Sequence, residues 1–301
     1  MSQRNMSELP WREARAAGAE GVTLLPIGSQ EQHAAHLPLA TDTLLVEAVV
    51  DRALEILAEE EQVPGAPGTD VLRLPVLPYG HSPHHLFAAA LSLSAPTLSA
   101  VLGDLLGSLV TSGCRRIMIV NGHGGNDEIM RLAVKRFALR PEAEGVTLAA
   151  CSYWTVTADG GEAPGGAGEA GARTAERPEV TPGHAGWFET SLMLAAHPGL
   201  VQTPVAAREP VVPPPLFDNP PYPGLTTERH GEWARVGGAT DDASGADRDA
   251  GRRLLDARAL GLARAVRAFD AATRPGLRSE PAPEPAGAAA PAPAPAHQGE
   301  E

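Results

Sequence analysis

The sequence predicts an α/β fold built on a mainly parallel sheet covered on both faces. Two observations carry this reading. Apolar runs of strand length alternate with segments of helical apolar spacing over residues 21–153, the pattern of successive β-α units. Three runs rich in histidine and carboxylate, GSQEQHAAHLPLATDT (28–43), NGHGGN (121–126) and HAGWFETS (184–191), gather where these elements begin and end. Open parallel sheets bind ligands beyond the carboxyl ends of their strands.

Each element has its own signal. Residues 21–27 form an apolar run that stops at Gly28 and Ser29, a buried strand delivering its end to a loop. From Thr43 to about residue 60, Leu44, Leu45, Ala48, Val49, Ala53, Ile56 and Leu57 recur at helical spacing, with Asp42 at the N-cap position. Residues 71–77 read as a second strand ending at Pro78, Tyr79 and Gly80. Ser94 or Thr97 starts the next helix, whose apolar face runs from Leu98 to Leu109 and whose stop is Gly113. A buried strand over 116–120 empties into NGHGGN, followed by a helix to about residue 139, a strand over 146–153 and a helix over 188–196. A last amphipathic helix spans 247–269. The Gly/Ala/Glu-rich stretch over 160–182 and the Pro-rich stretch over 210–223 read as surface loops able to lid a site.

The organisation expected is one catalytic domain over residues 1–273 and a disordered Pro/Ala-rich tail over 274–301 that lacks core-forming residues. At 301 residues the chain can bury a large core. A formal net charge of −13 with no basic stripe argues against nucleic acid and anionic membranes as partners and favours a small-molecule or peptide substrate. Cys114 and Cys151 carry no surrounding motif, and no signal peptide or long apolar span stands out, so the chain is expected to be soluble and cytoplasmic.

The chemistry lies in Glu31, His33 and Asp42 of the first run and His123 of the second. Mixed carboxylate and imidazole donors suit zinc, manganese or iron, whereas calcium wants more oxygens. Each residue has a plainer reading: Asp42 as a helix cap, His33 with His36 as polar loop residues or a structural zinc pair. Taken together, four donors from strand ends expected to adjoin would be costly buried polar groups unless an ion held them. The glycines of 122–125 could suggest a phosphate loop, but the chain lacks G-x-G-x-x-G and a P-loop lysine.

The three runs together resemble the creatininase family of metal-dependent amidohydrolases, from about residue 20 to 200 and more weakly to about 269. The resemblance implies a three-layer α/β/α sandwich, two divalent metal ions (Zn, Mn or Fe), and a homo-oligomer, often a hexamer. It implies that Glu31 and His123 hold one metal and His33 the other, with Asp42 bridging them. It also makes His184 the catalytic histidine near the scissile bond. Glu189, in the first turn of its helix, is expected to orient water or ligands, with a structural N-terminal carboxylate as the plainer reading. The implied reaction is hydrolysis of an amide-type C–N bond, in a cyclic amide or formamide, by a metal-bridged hydroxide, with His184 protonating the leaving nitrogen.

Two departures from the family stand out. Gly124 and Gly125 replace the aromatic and acidic residues of creatininase itself, the acid there being a further ligand. Relatives with glycines here include a formamide deformylase and a peptidase of mycofactocin maturation. In YGHSPHHLFAAALS (79–92), Phe87 is followed by three alanines where the family continues Pro-Gly-Thr; His84 or His85 could line the site, and His81 has no assigned role. The rival readings are a peptidase with the same dinuclear centre and a non-catalytic binding protein that keeps the fold.

Overall fold

The computed structural model describes residues 3–62, 68–156, 182–208 and 210–274. Five parallel strands, β1 (Gln3–Asn5), β2 (Val22–Ile27), β3 (Val71–Arg73), β4 (Arg116–Asn121) and β5 (Thr147–Ser152), make one sheet in the order β1-β3-β2-β4-β5. Helices α2 (Thr41–Glu61), α5 (Trp187–Ala196) and α7 (Arg248–Thr273) pack on one face, and α1 (Trp11–Glu20), α3 (Ala95–Thr111) and α4 (Asp127–Phe137) on the other. The short α6 (Glu232–Arg235) lies beside His84 and His85 through Trp233. This is the three-layer α/β/α sandwich.

Strand side chains alternate between two cores. Leu24, Met118 and Val120 pack with Val46, Val49, Phe188 and Leu262, while Leu25, Ile27, Ile117 and Ile119 pack with Leu98, Leu102, Met130 and Phe137. A strand sandwiched this way must be apolar at every position, which is why β2 and β4 appear in the sequence as unbroken runs. None of the described helices is long and apolar enough to cross a membrane.

Several expectations change in detail. The second strand, expected over 71–77, pairs as a ladder only over Val71–Arg73. Pro75 has no N–H to give the ladder, and contact with β2 resumes through Leu77, whose N–H donates to the Pro26 carbonyl. Asp42 is not the N-cap: Ala40 holds that place without a side-chain bond, and Asp42 is the second residue of α2. Ser94, rather than Thr97, caps α3 by accepting from the Thr97 N–H. β1 and α1 were not anticipated, because α1 buries only Ala14, Ala17 and Gly18 and so shows no apolar stripe. The tail beyond residue 274 and the loop over 157–181 lie outside the described residues.

The sheet order creates the site. The chain moves from β2 to β3 on one side and returns past β2 to β4 on the other, so the loops after β2 and β4 part at a topological switch point. In register, Ile27 pairs with Asn121, which brings Glu31 and His123 into one crevice. Both asparagines of NGHGGN tie this region together. Asn121 Oδ1 accepts from the His123 N–H, and Asn126 donates to the Gly28 carbonyl while its Oδ1 accepts from the His81 N–H.

The packing of Gly122 on α2 gives a test. A β-carbon there would stand 2.6 Å from the Asp42 carbonyl oxygen and 2.7 Å from Val46 Cβ, whereas one on Gly124 would meet nothing within 4 Å. Gly122→Ala is expected to destabilise by about 1–3 kcal/mol and Gly124→Ala by less than about 0.5 kcal/mol. Urea midpoints at unchanged slope measure both; equal midpoints would contradict the close approach.

Candidate metal centre

Glu31 follows β2 in a loop held by main-chain bonds on both sides. The Glu31 N–H donates to the Leu39 carbonyl, the Gln32 N–H to Ala89 and the Leu91 N–H to Gln30. The alanine segment that departs from the family pattern therefore clamps the motif through its backbone. Asp42 enters from the first turn of α2, His123 from the end of β4, His84 and His85 from the turn after Ser82, and His184 with Glu189 from the entry to α5. Glu31, His33, Asp42, His85, His123, His184 and Glu189 are all buried, and His84 is half-buried.

Asp42 stands between two histidines, one oxygen to each. Oδ1 is 3.2 Å from His33 Nε2 and Oδ2 is 3.1 Å from His123 Nδ1. Glu189 Oε2 is 3.8 Å from His33 Nε2, and Glu31 Oε2 is 3.4 Å from His123 Nε2. On its other oxygen Glu31 faces His85 Nε2 at 3.4 Å and His184 Nδ1 at 3.5 Å. Four overlapping sets have ligand atoms within 4.8 Å of one another: Glu31, His33 and Asp42; His33, His184 and Glu189; Glu31, His84 and His123; and Glu31, His85 and His184.

Both Glu31 oxygens, His33 Nε2, Asp42 Oδ2 and His85 Nε2 are buried and make no hydrogen bond among the described residues. Buried polar atoms without partners are rare because each forfeits its hydration. Outer contacts fix how two imidazoles present themselves: His33 Nδ1 donates to the Glu31 carbonyl and His123 Nε2 to the His81 carbonyl. Each ring thereby turns its other nitrogen on Asp42, the arrangement of metal-bound histidines oriented by a backbone carbonyl. The residues fit a divalent cation.

Two backbone positions pay for this geometry. Ala34 and Ala185, each following a motif histidine, have φ of 54° and 53°, a left-handed conformation that costs a non-glycine residue roughly 1–2 kcal/mol. Gln32 Oε1 accepts from the Ala34 N–H at 2.9 Å and Glu189 Oε2 from the Ala185 N–H at 2.6 Å, and both bonds hold the strained turns.

Charge is distributed unevenly. Burial pushes Glu31 up to about 7 against the pull of His123, and pushes Glu189 up to about 7 against that of His33. Burial alone would depress His33 and His123, but Asp42 and Glu189 hold His33 up to about 10, and Glu31 and Asp42 hold His123 up to about 9. Burial works to raise Asp42, and His33 and His123 carry it well below the usual carboxylate range. Burial lowers His84 to about 4, His85 to about 2, and His184 well below its ordinary value.

A family model described as creatinine amidohydrolase matches residues 7–266. The chain belongs to the creatininase family. It is 30% identical over 284 residues to the creatinine amidohydrolase of Pseudomonas putida, covering 87% of this chain and 95% of that one. It is also 35% identical over 181 residues to a mycofactocin precursor peptide peptidase of Mycobacterium ulcerans, covering 60% of each. A crystal structure of creatinine amidohydrolase superposes with a TM-score of 0.66 at 26% identity, over 91% of this chain and all of that one, 100%. A manganese creatininase gives 0.64 at 28%, covering 89% of this chain and 98% of that one.

Within this creatininase-family centre, Gly125 is tightly packed. A β-carbon there would stand 2.2 Å from the His81 carbonyl oxygen and 2.6 Å from His123 Nε2. Among the described residues, the further carboxylate near His33 is Glu189. His36 turns away from the cluster, its Nε2 2.8 Å from Thr190 Oγ1, so it is a polar loop residue. Gln32, Ser82 and Trp233 were not singled out from the sequence. Gln32 lay in full view between Glu31 and His33, while Trp233 carried no local signal. Trp233 stacks on Phe217, from the expected surface loop, with centroids 4.0 Å apart, and abuts His85 at 5.0 Å.

These shifts set stability against pH in metal-free protein. His33 and His123 keep their protons to about 10 and 9 against the ordinary 6.5, so the folded state holds more protons than the unfolded one above about pH 7 and stability falls there as pH rises. Below that, the lowered His84, His85 and His184 favour folding increasingly as pH rises to 6.5, opposing the raised Glu31 and Glu189. In chelator, Tm is expected to fall between pH 7 and 9, and saturating manganese or zinc to reverse the trend because ligands bind deprotonated. Thermal unfolding that shows a rising metal-free Tm over that range would contradict the charge assignment.

Proposed function

We propose that this creatininase-family hydrolase cleaves an amide-type C–N bond of a small molecule, a cyclic amide or a formamide, at a centre for two divalent ions. The observation that carries the reading is Asp42, which offers one carboxylate oxygen to His33 and the other to His123 inside a buried cluster with unpartnered atoms. One ion would lie with Glu31, Asp42 and His123, and the other with His33, Asp42 and Glu189. When bound, two such ions polarise a carbonyl and lower the pKa of water. Solved relatives that include a manganese creatininase and a Zn–Zn mutant creatininase support divalent ions of this kind.

The chain's own groups supply the rest. His184, neutral and beside Glu31, is the group placed to move a proton onto the leaving nitrogen, which departs poorly unless protonated. Burial of the cluster keeps bulk water from competing for the ligands and strengthens each electrostatic contact. The partner of the site is a small amide in this reading, and the working form is a homo-oligomer.

A second reading, a peptidase acting on a short precursor peptide, draws on the mycofactocin relatives and uses the same residues. Cleavage of a formamide or cyclic amide panel against a panel of short peptides decides between them.

Asp42→Ala is expected to lower bound metal from near two ions per chain to one or none, read by elemental analysis. His184→Ala is expected to keep both ions while turnover drops by roughly 10²–10⁴. Two ions retained in the first variant would break the bridging assignment, and undiminished turnover in the second would remove His184 from the mechanism.

A further inference from the structure

The side chain of Gln32 touches four groups, and the assignment of donors and acceptors that satisfies three of them leaves its 3.0 Å approach to His184 Nε2 as a contact between two N–H groups. Its Nε2 lies 2.9 Å from the Gly238 carbonyl, 2.8 Å from His85 Nδ1 and 3.0 Å from His184 Nε2. Its Oε1 accepts from the Ala34 N–H at 2.9 Å. A backbone carbonyl can only accept and a backbone N–H can only donate, so these two contacts fix which end of the amide is nitrogen. Gly238 is packed against that amide: a β-carbon there would stand 2.2 Å from Gln32 Nε2.

His184 Nε2 also lies 2.8 Å from the Gln32 main-chain carbonyl, which can only accept, so that nitrogen carries a proton. One amide hydrogen goes to Gly238, and the other is left for His85 Nδ1, which must be bare to receive it. A neutral imidazole bare at Nδ1 is protonated at Nε2. Both histidines aim their remaining nitrogen at the same Glu31 oxygen, at 3.4 Å for His85 and 3.5 Å for His184.

We propose that Gln32 is a positioning residue that sets the tautomers of His85 and His184, so that His85 presents an N–H and His184 a bare Nδ1 to Glu31. His85 then turns an N–H rather than a lone pair towards the Glu31 carboxylate, 3.4 Å away, and is not a metal ligand, although it lies within a ligand-like group. The bare Nδ1 of His184 is the atom that exchanges protons with the substrate. It takes a proton from the attacking water as the water oxygen bonds the carbonyl carbon, and returns it to the nitrogen as the C–N bond breaks. That last assignment rests on the hydrolase reading; the tautomers do not.

The test is long-range ¹H–¹⁵N correlation on metal-free protein labelled in histidine. Both rings are expected to carry their proton on Nε2. In Gln32→Glu, a carboxylate oxygen facing His85 Nδ1 is expected to draw the proton to that nitrogen; should that variant not fold, Gln32→Met is expected to leave His85 as a mixture of tautomers. A proton on Nδ1 of either ring in the unsubstituted chain, or a His85 tautomer unmoved by both substitutions, overturns the proposal. Titration with manganese supplies a second arm. His85→Phe is expected to weaken binding by about 10–100-fold at unchanged stoichiometry, with His85→Gln recovering part of the loss; one ion fewer per chain at saturation would make His85 a ligand and overturn the proposal. Nε2 tautomers found in a chain that cleaves none of the amides or peptides would refute hydrolysis and leave the Gln32 assignment standing.

Discussion

The divided contact of Asp42 is the constraint on which the rest of the centre depends. One buried carboxylate has to satisfy two imidazoles, and it can do so only if α2 delivers it between the loops that follow β2 and β4. The side chain sits in the first turn of α2, whose position is fixed by Thr43 donating to the Ser29 carbonyl and by the absence of a side chain at Gly122. Moving the helix end by an ångström would unpair both histidines at once.

Around Asp42 the cluster separates charge by burial and neighbours. His33 and His123 face carboxylates and hold protons tightly, while His84, His85 and His184 lie among other imidazoles and stay neutral. In the proposed centre a cation would displace the protons of the first pair and give partners to buried atoms that make no hydrogen bond among the described residues. The neutral rings would be left for hydrogen bonding and proton movement. In the proposed hydrolase one small volume would serve ligation and acid–base chemistry without assigning both to one residue.

The backbone is recruited as heavily as the side chains. His33 and His123 are each oriented by a main-chain carbonyl, and two left-handed alanines are held in place by Gln32 and Glu189. Such contacts depend on the local conformation of the loop more than on which apolar residues line it. That explains how the segment from Ala88 to Ala90 can differ from its family pattern and still pin residues 30–32 through N–H and C=O groups.

The candidate donors Glu31, His33, Asp42 and His123, the strand ends and helix start beside which they lie, and the two-faced burial of β2 and β4 were legible in the sequence, because a fully sandwiched strand must be apolar throughout and a helix must show a 3.6-residue period. α1 was not legible, since Ala and Gly pack closely without leaving an apolar stripe, and Asp42 resembled a cap because caps and first-turn acids share residue types. Glu189, His85 and Gln32 acquire their partners in the cluster across long stretches of chain, beyond the local bonds of Glu189 and Gln32 to nearby N–H groups; Gln32 meets Gly238, 206 residues away. Residue chemistry sets which atoms can donate, accept or ligate, and spacing sets the local element. Which of those atoms face one another, and therefore which nitrogen keeps its proton, is decided only when the strand order closes the crevice between β2 and β4.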